Sequence, residues 1–261
     1  MAKKRRHIVP SLIIALAGFA FLVPIIWVLS LSLRSKKNVF SAMFFTRDLH
    51  FENYFLAWKT FGFGRLFFNS ILITVISVAV ILIISSLASY AFTKLKYRGS
   101  GAVFYTILLG MMIPPAAVVI PLFIIMKVLG MYNTHMALIL AYISFSIPIA
   151  ILVFYGFFTS VPKELIESAR IDGSREIMTF ARIVLPLSTP AIATVTIFSF
   201  MQNWNEFLLA LVLLKDKVLY TLPVGMANFV GQWDSPWQLV AAGVIISSIP
   251  IFLLYLFIQD L

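Results

Sequence analysis

Six long runs of apolar residues organise the chain, at roughly 8–33, 66–93, 102–127, 135–158, 187–214 and 238–258. Each can form a membrane span, because about 20 helical residues cover the hydrocarbon core. Stretches such as Ile71 to Leu87 and Ile245 to Phe257 are continuously apolar. They lack the alternation of polar and apolar positions that a transmembrane barrel strand requires. The pattern predicts an all-α membrane protein of six transmembrane helices, each satisfying its own backbone polar groups. The first run follows the basic cluster Lys3-Lys4-Arg5-Arg6 and is too long for the apolar centre of a signal peptide, so it reads as a retained span. The chain divides into 1–65, the first span with its following loop, and 66–261, a core of spans two to six.

Composition changes this picture mainly by exclusion. Hydrophobic residues make up 61% and charged residues 11%, against about 25% charged in an ordinary soluble domain. No cysteine is present, which removes disulfides, thiolate metal sites and cysteine nucleophiles. The net charge of +10 is spread in short clusters between apolar runs, so it reads as membrane anchoring and not as a nucleic-acid face. Lys94, Lys96 and Arg98 crowd the link between the second and third runs with no acid beside them. Basic connections stay cytoplasmic, which places both the N- and C-termini in the cytoplasm. His7, His50 and His135 are far apart and without ligand-like spacing, so no metal site is expected. No G-x-x-x-x-G-K-[ST] run occurs, so the chain has no phosphate cradle of its own and needs no cofactor. Within the spans no acid, base, nucleophile or metal set converges, which argues against an enzyme.

The most charged stretch lies between the fourth and fifth runs, from Thr159 to Pro186. Pro162 suits a helix start, Glu164 and Glu167 suit its positive end, and Gly173 suits the residue just past its end. A helix of about 11 residues is about 16 Å long and cannot span a bilayer. Leu165, Ile166 and Ala169 fall on one side of it, with Lys163, Glu167 and Arg170 largely elsewhere. Such a short amphipathic helix either fills a groove on a partner or caps its own bundle.

Glu167-Ser168-Ala169, then Gly173, then Ile183, Leu185 and Pro186 at fixed spacing resemble the E-A-A…G…I-x-L-P signature of binding-protein-dependent ABC importer permeases. Ser168 departs mildly, since the signature has Ala there. Asn69-Ser70, Ile113-Pro114-Pro115 through Ile120-Pro121-Leu122, Asn203 to Phe207 and Thr221 to Gly225 resemble the carbohydrate type, in particular the maltose-type second permease subunits.

The resemblance implies a coupling helix in the 159–186 loop that seats in a cytosolic ATPase subunit. It carries over Glu164, Glu167, Ser168, Ala169, Asp172, Gly173, Ile183, Leu185 and Pro186 as the ATPase-coupling residues. It also implies a heterodimer with a second permease subunit, two ATPase subunits that bind ATP and Mg, an extracytoplasmic sugar-binding protein, and a place in a bacterial or archaeal inner membrane. The family continues past its last span with a basic, glycine-containing tail. This sequence stops at Gln259-Asp260-Leu261, so the tail's contacts are not carried over.

The fifth run, 187–214, would make about 42 Å of helix against a core of roughly 30 Å, so it must tilt, break or protrude. Thr196, Ser199, Asn203 and Glu206 recur on one face, with Gln202 beside them. A charge at a span centre costs about 2.5–3.5 kcal/mol on insertion scales and faces a bundle interior or a watery cavity. The pathway candidates are therefore Ser199, Asn203, Asn205 and Glu206, with Pro114 and Pro115 as a kink in the third span. Glu206 near the membrane edge and a merely packed kink remain the plainer alternatives. Ser85, Ser86, Ser89, Thr74 and Ser77 read as close helix packing. A permease for another small solute and an ion-coupled secondary transporter are the competing functions; the second needs midplane ionisable groups, for which Glu206 alone qualifies.

Overall fold

The computed structural model describes residues 8–41, 48–95, 97–230 and 235–259. The basic cluster at 3–6, His7, Arg47, Lys96 and the final Asp260-Leu261 lie outside them. The helices are α1 (Ile8–Ser32), α2 (Glu52–Thr60), α3 (Phe63–Tyr90), α4 (Ser100–Leu109), α5 (Pro115–Val128), α6 (His135–Ser160), α7 (Lys163–Ile171), α8 (Glu176–Thr179), α9 (Leu185–Leu187), α10 (Thr189–Trp204), α11 (Leu208–Leu213), α12 (Leu222–Ala227) and α13 (Trp237–Ile258). Among the described residues there is no strand.

Four helices are long and apolar enough to cross a membrane alone, and six spans result if each of two bent pairs is counted once. One bend revises an expectation and the other falls within one. The third run is not one kinked rod: the helical stretch Ser100–Met112 meets α5 at 103°, broken at Ile113-Pro114. Pro114 has extended backbone and Pro115 opens the next helix, where its missing N–H costs nothing. The fifth run is likewise divided. The chain from Glu176 to Leu187 meets α10 at 77°, and α10 ends at Trp204 with α11 following as a separate short helix.

The chain forms two compact units, 1–64 with 225–249 and 65–224 with 250–261. In the first, the carbonyls of Ser32, the last residue of α1, and of Arg34 just past it accept from Asn53 Nδ2 at 2.9 and 2.8 Å, which satisfies groups the helix end would leave open. Gly243 of α13 lies so close to the Phe63 ring that an added Cβ would stand 3.0 Å from it.

The second unit is built on α6. Leu138, Ala141, Tyr142, Ala150, Phe154 and Phe158 are buried along α6, in one apolar cluster with Ile73, Ile81, Phe180, Val195 and Leu213. Thr74, Ser77, Ser85, Ser86 and Ser89 are all buried on α3. Ser89 Oγ donates to the Ile151 carbonyl of α6 at 3.0 Å, the close approach that small residues permit.

Candidate functional site

Two places in the second unit hold the residues singled out by sequence, and they sit at opposite ends of α6. One follows Ser160 through α7; the other is at Tyr142, about 27 Å back along the helix.

At the first, α7 runs over nine residues, two fewer than expected. Its end is a Schellman turn: Ser174 N–H donates to Ala169 O at 2.9 Å and Gly173 N–H to Arg170 O at 3.0 Å. Gly173 has φ +78°, which a glycine adopts without steric cost. Asp172 is the exposed cap residue. Ile166 and Ala169 are buried, whereas Leu165 is exposed together with Glu164, Glu167 and Ser168. Ile171 is 86% exposed, and Ile177 and Met178 beyond the turn are exposed as well. A polar loop thus exposes the apolar side chains of Ile171, Ile177 and Met178, which the sequence pattern had not marked. Ile183 belongs to a π turn, Phe180–Val184, and Leu185 and Pro186 to α9; these three lead into α10 and do not lie on α7.

Behind α7 stands a polar group that sequence reasoning missed. Glu176 Oε1 accepts from Arg170 Nε at 2.7 Å, and its Oε2 accepts from the Tyr90 hydroxyl at 2.8 Å. The guanidinium, and after it the tyrosine hydroxyl, hold this carboxyl below the usual carboxylate range. The carboxylate in turn raises Arg170. Nothing in the periodicity could mark the pair, because Glu176 lies past the turn that ends α7 and Tyr90 is far away in sequence.

At the other end, Pro115, Tyr142, Phe145, Gln202, Asn203, Glu206 and Leu209 enclose a cavity of about 70 Å³. Glu206 accepts from the Tyr142 hydroxyl at 3.0 Å and from the backbone N–H groups of Leu209 at 2.6 Å and Ala210 at 3.0 Å. It therefore caps α11 and fixes the break after α10. Asn203 is 4% exposed, and its Nδ2 has no hydrogen-bond partner among the described residues. Ser199 is buried one turn earlier. Asn205 is exposed and bonds back to Met201 O, away from the cavity. Of the pathway candidates, the cavity brings together Pro115, Asn203 and Glu206; Pro114 is the residue before α5.

Two of the weaker sequence patches also meet. Asn69 Nδ2 donates to the carbonyls of Val218 at 2.9 Å and Tyr220 at 3.0 Å, and Ser70 Oγ accepts from Leu222 N–H at 2.7 Å. They fasten the segment before α12 to α3. Among the described residues no group of three His, Asp or Glu side chains comes together to hold a metal ion.

Residues 87–261 match the family described as binding-protein-dependent transport system inner membrane component. The trehalose transport system permease protein SugB of Mycobacterium tuberculosis is 34% identical over 244 residues, 93% of this chain and 89% of the relative. The melibiose/raffinose/stachyose import permease protein MelC of Bacillus subtilis is 34% identical over 250 residues, 95% of this chain and 91% of the relative. A solved bacterial ABC transporter involved in the import of the acidic polysaccharide alginate has a chain that superposes with a TM-score of 0.85 at 25% identity, covering 99% of this chain and 97% of that one.

Proposed function

Because the chain belongs to the family of binding-protein-dependent transport-system inner-membrane components, we propose that it forms half of the translocation pathway of an ATP-driven importer for a sugar or oligosaccharide. Six spans cross a bacterial or archaeal inner membrane with both termini in the cytoplasm, and the chain pairs with a second, different permease subunit. Two cytosolic ATPases hydrolyse ATP, and an extracytoplasmic binding protein delivers the sugar. Two relatives that match over more than nine-tenths of the chain are named for trehalose transport and for melibiose/raffinose/stachyose import, which supports a carbohydrate cargo.

The observation that carries the reading is the face of α7. A nine-residue helix is held to its own chain by Ile166 and Ala169 while Leu165, Glu167, Ser168 and Ile171 stand exposed. An amphipathic helix offered in this way fits a groove on a partner. Glu164 and Asp172 flank that face, and Gly173 sets its end. At the opposite end of α6, the cavity at Pro115, Asn203 and Glu206 is the pathway element, where an amide donor without a partner faces a space a polar solute or water can enter.

The test is the assembled complex. Stimulation of ATP hydrolysis by sugar-loaded binding protein is compared for wild type and a Glu167→Arg/Gly173→Pro double variant. Loss of stimulation in the variant is the expected result. Wild-type coupling in the variant, or uptake that persists without ATP hydrolysis, overturns the reading and favours a secondary transporter.

A further inference from the structure

At the α7 end of the second unit, one carboxylate is shared between α7 and the end of α3. Glu176 Oε1 takes the Arg170 Nε–H of α7 and its Oε2 takes the Tyr90 hydroxyl at the last residue of α3. Tyr90 is 4% exposed. Its ring lies on Phe180, with centroids 5.3 Å apart, and Phe180 meets the edge of Phe158 of α6 at 6.5 Å. Beyond Tyr90 the helix widens into a π turn, Ala91–Leu95, whose Lys94 donates to the Val161 carbonyl just past α6 at 2.8 Å. Phe180 opens the second π turn of the chain. Single π turns inside helices are rare and frequent at functional sites. Here two of them flank the same tyrosine.

We propose that the Arg170–Glu176–Tyr90 linkage fixes α7 to the second span, so that Tyr90 and Glu176 are positioning residues that set how much sugar is moved per ATP hydrolysed. The proposal rests on α7 being the helix that docks on the ATPase. Its physical basis is directionality. Burial of Ile166 and Ala169 attracts without fixing a register, so α7 held by them alone can slide on its bed. Charge-assisted hydrogen bonds are directional and roughly twice as strong as neutral ones, and a carboxylate with one oxygen on each element transfers a displacement of α7 to α3. The Tyr90 ring passes it on to Phe180 and Phe158, at the ends of the fifth and fourth spans. Tyr90 is buried and Glu176 belongs to α8, so substituting them changes no residue of α7.

In proteoliposomes holding the full complex, sugar uptake and ATP hydrolysis are measured together for wild type, Tyr90→Phe, Glu176→Gln and the double variant. Tyr90→Phe keeps the ring on Phe180 and removes only the donor; Glu176→Gln keeps the shape and removes the charge. Assembly and hydrolysis in the absence of binding protein are expected to stay at wild-type levels. Sugar moved per ATP is expected to fall about five- to tenfold in each single variant, the scale of one ordinary net hydrogen bond, and no further in the double variant, because both remove one link. A wild-type ratio in both single variants overturns the proposal, as do losses that add in the double variant. Poor assembly with a normal ratio in the complexes that form also overturns it, by showing support without transmission. Failure of the underlying reading registers separately, as wild-type coupling in the Glu167→Arg/Gly173→Pro variant.

Discussion

Glu176 and Glu206 stand near opposite ends of α6, and each accepts a tyrosine hydroxyl; what else shares the carboxylate separates them. Glu206 takes its remaining hydrogen bonds from the N–H groups of Leu209 and Ala210, three and four residues further on. It braces a break in its own segment and ties that break to α6 through Tyr142. Glu176 takes its second bond from a guanidinium on a separate helix, and its side chain is 42% exposed. A wet ion pair contributes little to stability, whereas a carboxylate that satisfies three donors, two of them backbone groups of buried residues, is costly to remove. The same Tyr–Glu pair therefore braces a break within one segment at one end and links two separate helices at the other.

The comparison breaks first, and with the largest effect, at Glu206. Glu206→Leu leaves the Tyr142 hydroxyl and two amides without their acceptor, at about 1–3 kcal/mol for each buried group left unsatisfied. The expected outcome is a sharp drop in the thermal unfolding midpoint of the purified chain in detergent. If the variant unfolds like wild type and only uptake is lost, Glu206 serves the pathway and not the fold. Next is Tyr142→Phe, which removes one of three donors at a buried position and is expected to cost about 1–2 kcal/mol by the same measurement. Gly173→Ala is smaller, about 1 kcal/mol, because a side chain must adopt the left-handed backbone there. Its sharper readout is α7 itself: the turn that presents Glu176 is disturbed, so binding-protein stimulation falls more than stability does.

The contrast also shows where sequence stops being informative. Six apolar runs were legible because a span needs only length and continuous apolarity. The end of α7 was legible because Gly173 and Pro162 act through local backbone geometry. The right-angle break at Ile113-Pro114 was not, because the sequence shows that proline removes a donor without showing how far the chain then turns, and the length of the fifth run required a tilt, a break or a protrusion without choosing among them. By its spacing Leu165 shares one side of α7 with Ile166 and Ala169, yet it is exposed where they are buried. Helical periodicity groups residues by face, but only the neighbouring chain decides which edge of that face is covered. Glu176 and Tyr90 left no trace at all, since their contact depends on the fold bringing residue 90 beside residue 176.

The smallest effect is the acid response of Glu176, and it tests the comparison most directly. The Arg170 guanidinium, followed by the Tyr90 hydroxyl, holds this carboxyl below the usual range, so its ionised form is favoured in the folded protein. Its contribution is fully present above the unfolded carboxyl value of about 4.3 and is lost as pH falls through the lower folded value. Between pH 7 and 5 the difference in unfolding midpoint between wild type and Glu176→Gln is expected to be constant, and below about pH 4 it closes. Because the pair is exposed, the difference is small at every pH and shrinks further in high salt. Subtracting the two titrations removes the contributions common to both proteins. A difference that stays open in acid means that Glu176 acts by packing and not by charge. The two glutamates would then both be braces, and the distinction drawn from their partners would fail.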